Sequence, residues 1–408
     1  MSGEPAVVPA PLLERVRSRL AEAGDDPTPA RVAAALRQEG RLLPDTAVLG
    51  VITALRAELV GLGPLEPLVR DEAVTDVLVN APDEVWVDRG VGLERVEAGF
   101  PDEAGLRRFA QRLASGAGRR LDDAVPFVDA RLPGGVRLHA VLPPVSPRGT
   151  VVSLRVPPRR TYSLEALVAC GTLAPTVADV LLGLVRSRRA FLVSGGTGTG
   201  KTTLLSSLLS CAAPSERLVL VEDAGELAPA HPHVVRLQAR APNVEGVGTV
   251  SLSALVRQAL RMRPDRLVVG EVRGAEVVDL LAALNTGHDG GCGTLHANGA
   301  AEVPARLEAL GMSAGLSRTA VHSQLSAAVH VLLHLRRGTT GLRYLSEVCV
   351  LRRRPDGVVE TVEALRARAD GQVRGGPGSA ALAELVPMTR AAPDPLDGLV
   401  SAERDVAT

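Results

Sequence analysis

The sequence is poor in lysine, aromatic residues and cysteine, and each shortage limits what the protein can be. Of 46 basic residues only one, Lys201, is lysine, so the other 45 are arginine. Aromatic residues make up 2% of the 408, which leaves few side chains for stacking on nucleic-acid bases. The cysteines are scattered with no CxxC pair, which disfavours a zinc site or a disulfide framework. These thiols are typical of small core residues in a reducing cytoplasm.

The chain also lacks an excess of charge and any long apolar run. Its formal net charge is zero, which argues against a strongly basic nucleic-acid-binding protein but leaves a local basic channel open. The first residues show no basic region followed by an apolar core, so no signal peptide is expected. No apolar run approaches the roughly 20 residues of a membrane span. We therefore expect any role at a membrane to depend on a partner.

Hydrophobic periodicity predicts four regions. Residues 1–55 form a helical N-terminal extension, and residues 56–158, with short strand-like runs around one helical run, form a small α+β domain. Residues 159–355 alternate apolar strands with helices, which predicts a doubly wound α/β domain with a parallel sheet. Residues 356–408 are rich in Gly, Pro, Ala and charge and are expected to be a partly disordered tail.

The run "GGTGTGKT" is the most informative motif in the chain. It matches G-x-x-x-x-G-K-[ST], it follows the strand-like run "AFLVS", and an apolar helical run comes after it. Glycines let backbone N–H groups converge on phosphate oxygens, and the following helix turns its positive end to the same anion. Lys201 would bridge the β- and γ-phosphates and Thr202 would hold Mg²⁺. The alternative is a glycine-rich turn that binds nothing. The candidate nucleotide-binding residues are Gly195, Gly196, Thr197, Gly198, Thr199, Gly200, Lys201, Thr202 and Thr203.

Acidic residues follow two further apolar strands. "LVLVEDAGEL" places Glu222, Asp223 and Glu226 at the end of one strand, where a carboxylate can orient water or hold a metal through water. "RLVVGEVRG" ends in Glu271 and has the form of a Walker B element, whose carboxylate reaches the Mg²⁺ shell. The alternatives are a solvated acidic loop or helix N-cap for the first run, and a strand that merely ends in Glu for the second.

Two histidines lie in the glycine-rich stretch after the Walker B element. His288 belongs to "NTGHDGG" and His296 to "GCGTLHAN". Either could sense the γ-phosphate as a hydrogen-bond donor, although a lone histidine is more often structural. Their spacing does not predict a metal site.

Taken in order, these motifs resemble those of the type II/type IV secretion-system ATPases, which are RecA-like motors. "VEDAGEL" looks like the family's Asp box, "LVVGEVRG" its Walker B element and "GTLHAN" its His box. The run from "PHVVRLQAR" to "GTLHAN" is particularly similar to the CpaF-like branch, which serves tight-adherence (Flp-type) pili. The resemblance covers roughly 56–355. It implies a RecA-like P-loop NTPase core with ATP and Mg²⁺ as its ligands.

The resemblance also implies residue roles. Glu222 would be the general base, Glu271 the acid that reaches Mg²⁺ through water, and His288 and His296 the His-box sensors. Arginines of the N-terminal domain would contact the nucleotide, since guanidinium pairs bidentately with phosphate; a surface role is their alternative. The candidates are Arg131, Arg137 and Arg155, with Arg261, Arg263 and Arg273 as weaker ones. The sequence departs from the wider family at Ala224, where the Asp box often has proline.

The assembly that the resemblance implies is a homohexamer whose active site lies between the two domains and is completed by a neighbouring copy. The hexamer would be cytoplasmic, held at the inner face of the cell membrane by an inner-membrane platform protein, with no direct nucleic-acid contact. It would drive assembly of a pilus or secretion apparatus. A conjugation-type ATPase or a nucleic-acid-translocating motor is the alternative, and a non-hydrolysing, nucleotide-gated scaffold is a third possibility.

Overall fold

The structure is a computed structural model, and it describes residue 34 and residues 61–90, 92–157, 161–240, 242, 247–338 and 341–386. Its internal contacts divide the chain between Pro157 and Pro158, one residue before the boundary expected from the sequence. The predicted helices of the N-terminal extension lie outside the described residues, except for residue 34. None of the described helices is both long and apolar enough to cross a membrane.

The first unit is a six-stranded antiparallel sheet with the strand order β3-β2-β1-β6-β5-β4. Its longer helix, α2, begins after Asp102, whose carboxylate accepts a hydrogen bond from the backbone N–H of Gly105 at 2.6 Å. The elements are α1 (Glu66–Arg70), β1 (Asp76–Ala81), β2 (Glu84–Asp88), β3 (Leu93–Val96), α2 (Glu103–Gly116), β4 (Phe127–Arg131), β5 (Arg137–Val141) and β6 (Val151–Arg155).

The core of this unit lies between one face of the sheet and α2. Val77 on β1 and Leu138 on β5 are fully buried with Leu106 of α2. Because side chains alternate along a strand, the intervening positions, such as Asp76, lie on the opposite face. That second face carries Arg131, Arg137 and Arg155.

The second unit is built on a nine-stranded sheet with the order β15-β14-β13-β12-β7-β11-β10-β8-β9. The six strands from β12 to β9 are parallel, and β13, β14 and β15 extend the sheet in antiparallel pairs. The strands are β7 (Phe191–Gly195), β8 (Leu218–Glu222), β9 (Val234–Gln238), β10 (Arg266–Val269), β11 (Cys292–His296), β12 (Val331–Arg337), β13 (Arg343–Arg353), β14 (Val359–Ala367) and β15 (Val373–Gly375). The helices are α3 (Leu164–Ala169), α4 (Pro175–Arg186), α5 (Lys201–Ser210), α6 (Leu252–Ala259), α7 (Glu276–Leu284), α8 (Val303–Ser313), α9 (Arg318–Ala328) and α10 (Ser379–Leu385).

Helices cover both faces of this sheet, so its parallel strands are apolar throughout. On β7, Phe191 and Val193 belong to one core, which includes α4 and α5. Leu192, between them, belongs to the other core, with side chains of α6, α7, α8 and α9. The side chains of neighbouring residues on a strand therefore pack in opposite layers, which explains the continuous apolar runs seen in the sequence. This doubly wound α/β core and the smaller α+β unit confirm the predicted fold class.

Residues 356–386 are the folded part of the tail that composition predicted to be partly disordered. They form β14, β15 and α10, which complete the sheet and cover one of its faces with the buried side chains of Leu382 and Val386. Two of the glycines in this segment, Gly357 and Gly371, lie in turns with positive φ between strands. Residues 387–408 lie outside the described part of the chain.

Candidate nucleotide-binding site

The candidate phosphate loop connects the end of β7 to the start of α5. Gly198 and Gly200 have φ of 70° and 93°, in the left-handed region that favours glycine. Gly195 has a φ of 153°, and a β-carbon there would lie 2.6 Å from the backbone oxygen of Leu335. Glycine is thus required at three places, and the loop leaves its backbone open above the N-terminus of α5, where an anion is favoured.

Lys201 is the first residue of α5 and is only 8% exposed. Its ammonium group donates to the backbone oxygens of Gly195 at 3.1 Å and Gly196 at 2.8 Å. Burial lowers the pKa of Lys201, and the carboxylates of Glu271 and Glu226 oppose that change. The charge is therefore held inside the loop by carbonyl groups and lies where it can meet phosphate oxygens.

Thr202 and Thr203 follow in the first turn of α5. Both are half-buried and, with Glu226 and Tyr162, line a small recess of the surface. Hydroxyl and carboxylate oxygens are the ligands that Mg²⁺ prefers, usually one or two from the protein together with phosphate and water. The donors present here, the Thr202 hydroxyl and nearby carboxylates, fit that ion.

Glu222 ends β8 and is 3% exposed. Its Oε1 accepts hydrogen bonds from the backbone N–H groups of Glu226 and Leu227, each at 2.9 Å. Burial raises the pKa of Glu222 to about 7, against the effect of these two hydrogen bonds. A carboxyl group that exchanges its proton near neutral pH is suited to general base chemistry.

His296 joins the candidate phosphate loop to Glu271. It ends β11 directly beside Gly195 on β7. Its Nε2 lies 2.9 Å from Oε1 of Glu271, and its Nδ1 lies 3.5 Å from the Lys201 ammonium. Burial, followed by the charge of Lys201, lowers the pKa of His296. A neutral ring fits both contacts, since Nδ1 accepts from Lys201 while Nε2–H donates to Glu271.

The segment that follows β8 and the segment that follows β10 are also joined directly. The guanidinium of Arg273 forms an ion pair with Asp223. The backbone N–H of Arg273 donates to Glu276 at 2.6 Å, which fixes the turn after Glu271. Arg273 therefore lies beside the candidate site. Arg261 and Arg263, by contrast, precede β10 and lie at the other end of that strand.

His288, the other His-box candidate, lies away from the phosphate loop within the chain. It precedes β11, whereas His296 ends that strand, so the two histidines lie at opposite edges of the sheet. Four residue steps along β11 alone separate these edges by about 13 Å. The His288 Nδ1 lies 3.1 Å from the backbone oxygen of Ala283 at the end of α7. The glycine-rich stretch between the two histidines thus contains a buried strand.

Arg131, Arg137 and Arg155 form one row across three strands of the first unit. Arg131 lies opposite Arg137, and Arg137 opposite Arg155. Paired residues share a face, so the row lies on the face opposite α2. Arg155 also donates to the neighbouring carboxylate of Asp76 at 3.2 Å. Three guanidinium groups are thus gathered at one end of this sheet.

A cavity of about 270 Å³ opens beside the phosphate loop. Sequence reasoning did not select Asn298 or Arg306, which lie in its wall. The signal available was the segment "ANGAAEVPAR", which continues directly from His296 into α8. The lining residues are Gly196, Thr197, His296, Ala297, Asn298, Glu302 and Arg306.

Several known proteins are similar to this chain over two thirds of its length or more. The "Putative conjugal transfer protein" of Mycobacterium tuberculosis (strain H37Rv) is 59% identical over 332 residues, covering 80% of this chain and 94% of its own length. The conjugal transfer protein TrbB of Rhizobium radiobacter is 32% identical, covering 67% and 82%. The type IV secretion system protein PtlH of Bordetella pertussis is 32% identical, covering 69% and 91%.

Among solved structures, the pilus retraction motor PilT with bound ADP aligns with a TM-score of 0.50 and 19% identity, covering 83% of this chain and 87% of PilT. That likeness concerns the fold and confirms the predicted RecA-like architecture. The family model for type II/IV secretion system proteins matches residues 58–392. The chain therefore belongs to the type II/IV secretion system protein family.

Proposed function

We propose that the protein is an ATPase that hydrolyses ATP to ADP and phosphate and powers a secretion or pilus apparatus. The observation that carries the proposal is the chain of contacts from Lys201 through His296 to Glu271 at the mouth of the phosphate loop. Glu222 is buried at the end of β8, which lies two strands from β11 in the sheet, and its carboxyl group takes up a proton near pH 7. A glycine-rich turn without a ligand would need none of these charges.

In this mechanism the loop and the α5 N-terminus bind the phosphates, and the Lys201 ammonium neutralises the charge on the β- and γ-phosphates. Bound Mg²⁺ would supply further positive charge to the phosphate oxygens, held by Thr202 and, through water, by Glu271. Glu222 accepts the proton of the attacking water. His296 keeps its Nε2–H on Glu271 and so fixes the direction of that carboxylate.

The arginine row extends the proposal to the first unit. Arg131, Arg137 and Arg155 present three guanidinium groups on one face, an arrangement suited to pairing with phosphate oxygens. We assign them to the nucleotide, in a homohexamer whose neighbouring copies complete each site. Nucleotide-dependent pairing with this row would then link hydrolysis to movement of the first unit.

The apparatus is the finer part of the proposal. The similarity of the run from "PHVVRLQAR" to "GTLHAN" to the CpaF-like branch favours tight-adherence (Flp-type) pili, with an inner-membrane platform protein as partner and no direct nucleic-acid contact. The protein would act in the cytoplasm at the inner face of the membrane. Conjugal transfer is the second candidate, because the relatives from M. tuberculosis and R. radiobacter carry that name.

The deciding experiment compares the wild type with Glu271→Gln. We expect the variant to bind ATP within about threefold of wild-type affinity and to lose at least about a hundredfold in kcat, since the amide keeps the size but not the charge. Equal turnover in the two proteins would reject the assignment, and a wild type that binds ATP without hydrolysing it would support a nucleotide-gated scaffold.

Two further measurements separate the candidate machines. Turnover that is unchanged by single-stranded DNA supports a protein-assembly motor, whereas strong stimulation supports a nucleic-acid motor. In the source organism, deletion of the gene should abolish surface pili and leave DNA transfer intact if the tight-adherence assignment holds. The reverse result would favour conjugal transfer.

A further inference from the structure

His334 lies inside the sheet next to the strand that leads into the phosphate loop. Its strand, β12, pairs in parallel with β7, and His334 lies opposite Ser194. Ser194 directly precedes Gly195. His334 is 1% exposed and Ser194 is fully buried. A polar pair in this position must satisfy its hydrogen bonds internally.

The ring of His334 joins two segments of the candidate site. Nδ1 lies 2.9 Å from Ser194 Oγ, and the ring also makes a hydrogen bond to the backbone of Asn298. Burial lowers the pKa of His334 to about 4, so the ring is neutral at physiological pH. A neutral imidazole has one donor and one acceptor, one for each of these partners, and Ser194 Oγ also lies 3.4 Å from the backbone oxygen of Leu333.

One partner, Asn298, lines the cavity beside the loop, and the other, Ser194, lies on the strand that enters the loop. Ser194 leads into Gly196 and Thr197, and Asn298 follows His296 by two residues. β12 itself carries none of the nucleotide-binding motifs. A side chain from a third strand therefore connects the phosphate loop to the turn that holds His296.

We propose that His334 is a positioning residue that holds the turn after His296, at Asn298, against the strand that enters the phosphate loop, and so fixes the direction of His296 and Glu271. This inference rests on the proposed ATPase function. If the hydrogen bonds of His334 are lost, the turn at Asn298 can shift, and the Lys201–His296–Glu271 contacts lose their alignment. Small displacements of this kind reduce the rate of the chemical step more than they reduce nucleotide binding.

The chain offers a matched control in His322 on α9. His322 is 2% exposed, its Nε2 lies 2.8 Å from Glu308 Oε2, and its Nδ1 accepts from the backbone N–H of Val359 at 3.1 Å. It is thus as buried as His334 and has as many partners. Neither of its partners lines the cavity.

The experiment measures kcat, KM, ATP affinity and melting temperature for the full chain and for His334→Leu, His334→Gln and His322→Leu. We expect His334→Leu to lower kcat at least about tenfold with ATP affinity within about threefold of wild type. His334→Gln should recover most of the rate, because its amide offers both a donor and an acceptor. His322→Leu should lower the melting temperature. At temperatures where this variant is still folded, its kcat should equal that of the wild type.

A His334→Leu variant that is folded and has the wild-type kcat would overturn the inference, as would an equal loss of kcat in His322→Leu. If His334→Leu does not fold, Ser194→Ala removes one of the two hydrogen bonds with less disturbance, and an unchanged kcat there counts against the inference. The proposed function is judged separately: wild-type protein that does not hydrolyse ATP rejects both, whereas active wild type with insensitive His334 and Ser194 variants rejects only this inference.

Discussion

The side chain of Glu222 lies directly against Gly270, which directly follows the neighbouring parallel strand β10. A β-carbon at Gly270 would lie 2.7 Å from Glu222 Cγ and 3.2 Å from its Oε1. Gly270 also donates its backbone N–H to Val221 at 2.8 Å, which holds the two strand ends together. The glycine before Glu271 therefore gives the Glu222 carboxyl group the space that it occupies.

We expect Gly270→Ala to lower kcat at least about tenfold, because the added methyl group must displace Glu222 from its buried position. Steady-state kinetics and ATP binding measure the effect, and binding should change little. Gly116→Ala, at the end of α2 where a β-carbon meets nothing within 4 Å, is the control and should leave both unchanged. Wild-type kcat in Gly270→Ala would show that Glu222 is not held by this contact.

Glu222 should make folding stability depend on pH. Its pKa is raised from 4.5 to about 7 in the folded protein, so between these values the folded state binds more protons than the unfolded state. Stability contributed by the protonated form is present below pH 4.5 and is lost as the pH rises through 7, by up to ~3 kcal/mol.

Glu222→Gln removes this titration while keeping the shape of the side chain. The free energy of unfolding of the wild type, measured by urea denaturation relative to Glu222→Gln, should therefore fall between pH 5 and pH 8. The comparison cancels the other titrating groups, which the two proteins share. A difference that stays constant across this range would contradict the raised pKa.

Lys201→Arg should abolish ATPase activity although it keeps the charge. The Lys201 ammonium fits between the carbonyl groups of Gly195 and Gly196, in a space closed to solvent. A guanidinium is a broad planar fork and cannot occupy that point without moving the loop. Turnover and nucleotide binding should both be measured, with Lys201→Ala alongside. A nearly normal kcat in the arginine variant would contradict the role assigned to the loop.

The arginine row gives a prediction about the first unit. Arg155→Ala and Arg131→Ala should each lower kcat well beyond any loss of hexamer, because each removes a guanidinium proposed to pair with the nucleotide. Kinetics are compared with the oligomeric state by light scattering. Arg108→Ala, an exposed arginine on α2 and hence away from the row, should have wild-type kcat. Full turnover of an intact hexamer without Arg131 and Arg155 would reject the assignment.

Sequence reasoning located the parts of the site that are tied to strand ends. The phosphate loop, Glu222, Glu271 and His296 all directly follow or end apolar runs, and parallel strands bring their carboxyl ends to one edge. The arginine row could also be predicted in part, because Arg131 and Arg155 end strands and Arg137 begins one.

What the sequence did not provide depends on long-range pairing. His288 lies near His296 along the chain, but β11 runs between them and carries them to opposite edges. His334 stands alone in an apolar run, and only the pairing of β12 with β7 places it beside Ser194. The strands after residue 356 are stabilised by neighbours rather than by their own composition, so their glycine and charge content concealed them.

Because Lys201 is the only lysine of the chain, it is also the only side-chain primary amine. Amine-reactive esters, reductive methylation and lysine-specific proteases can therefore act on one internal position alone. That amine is engaged by the carbonyl groups of Gly195 and Gly196 and is almost closed to solvent. The extent of labelling at this one site thus reports how often the phosphate loop opens, without any engineered probe.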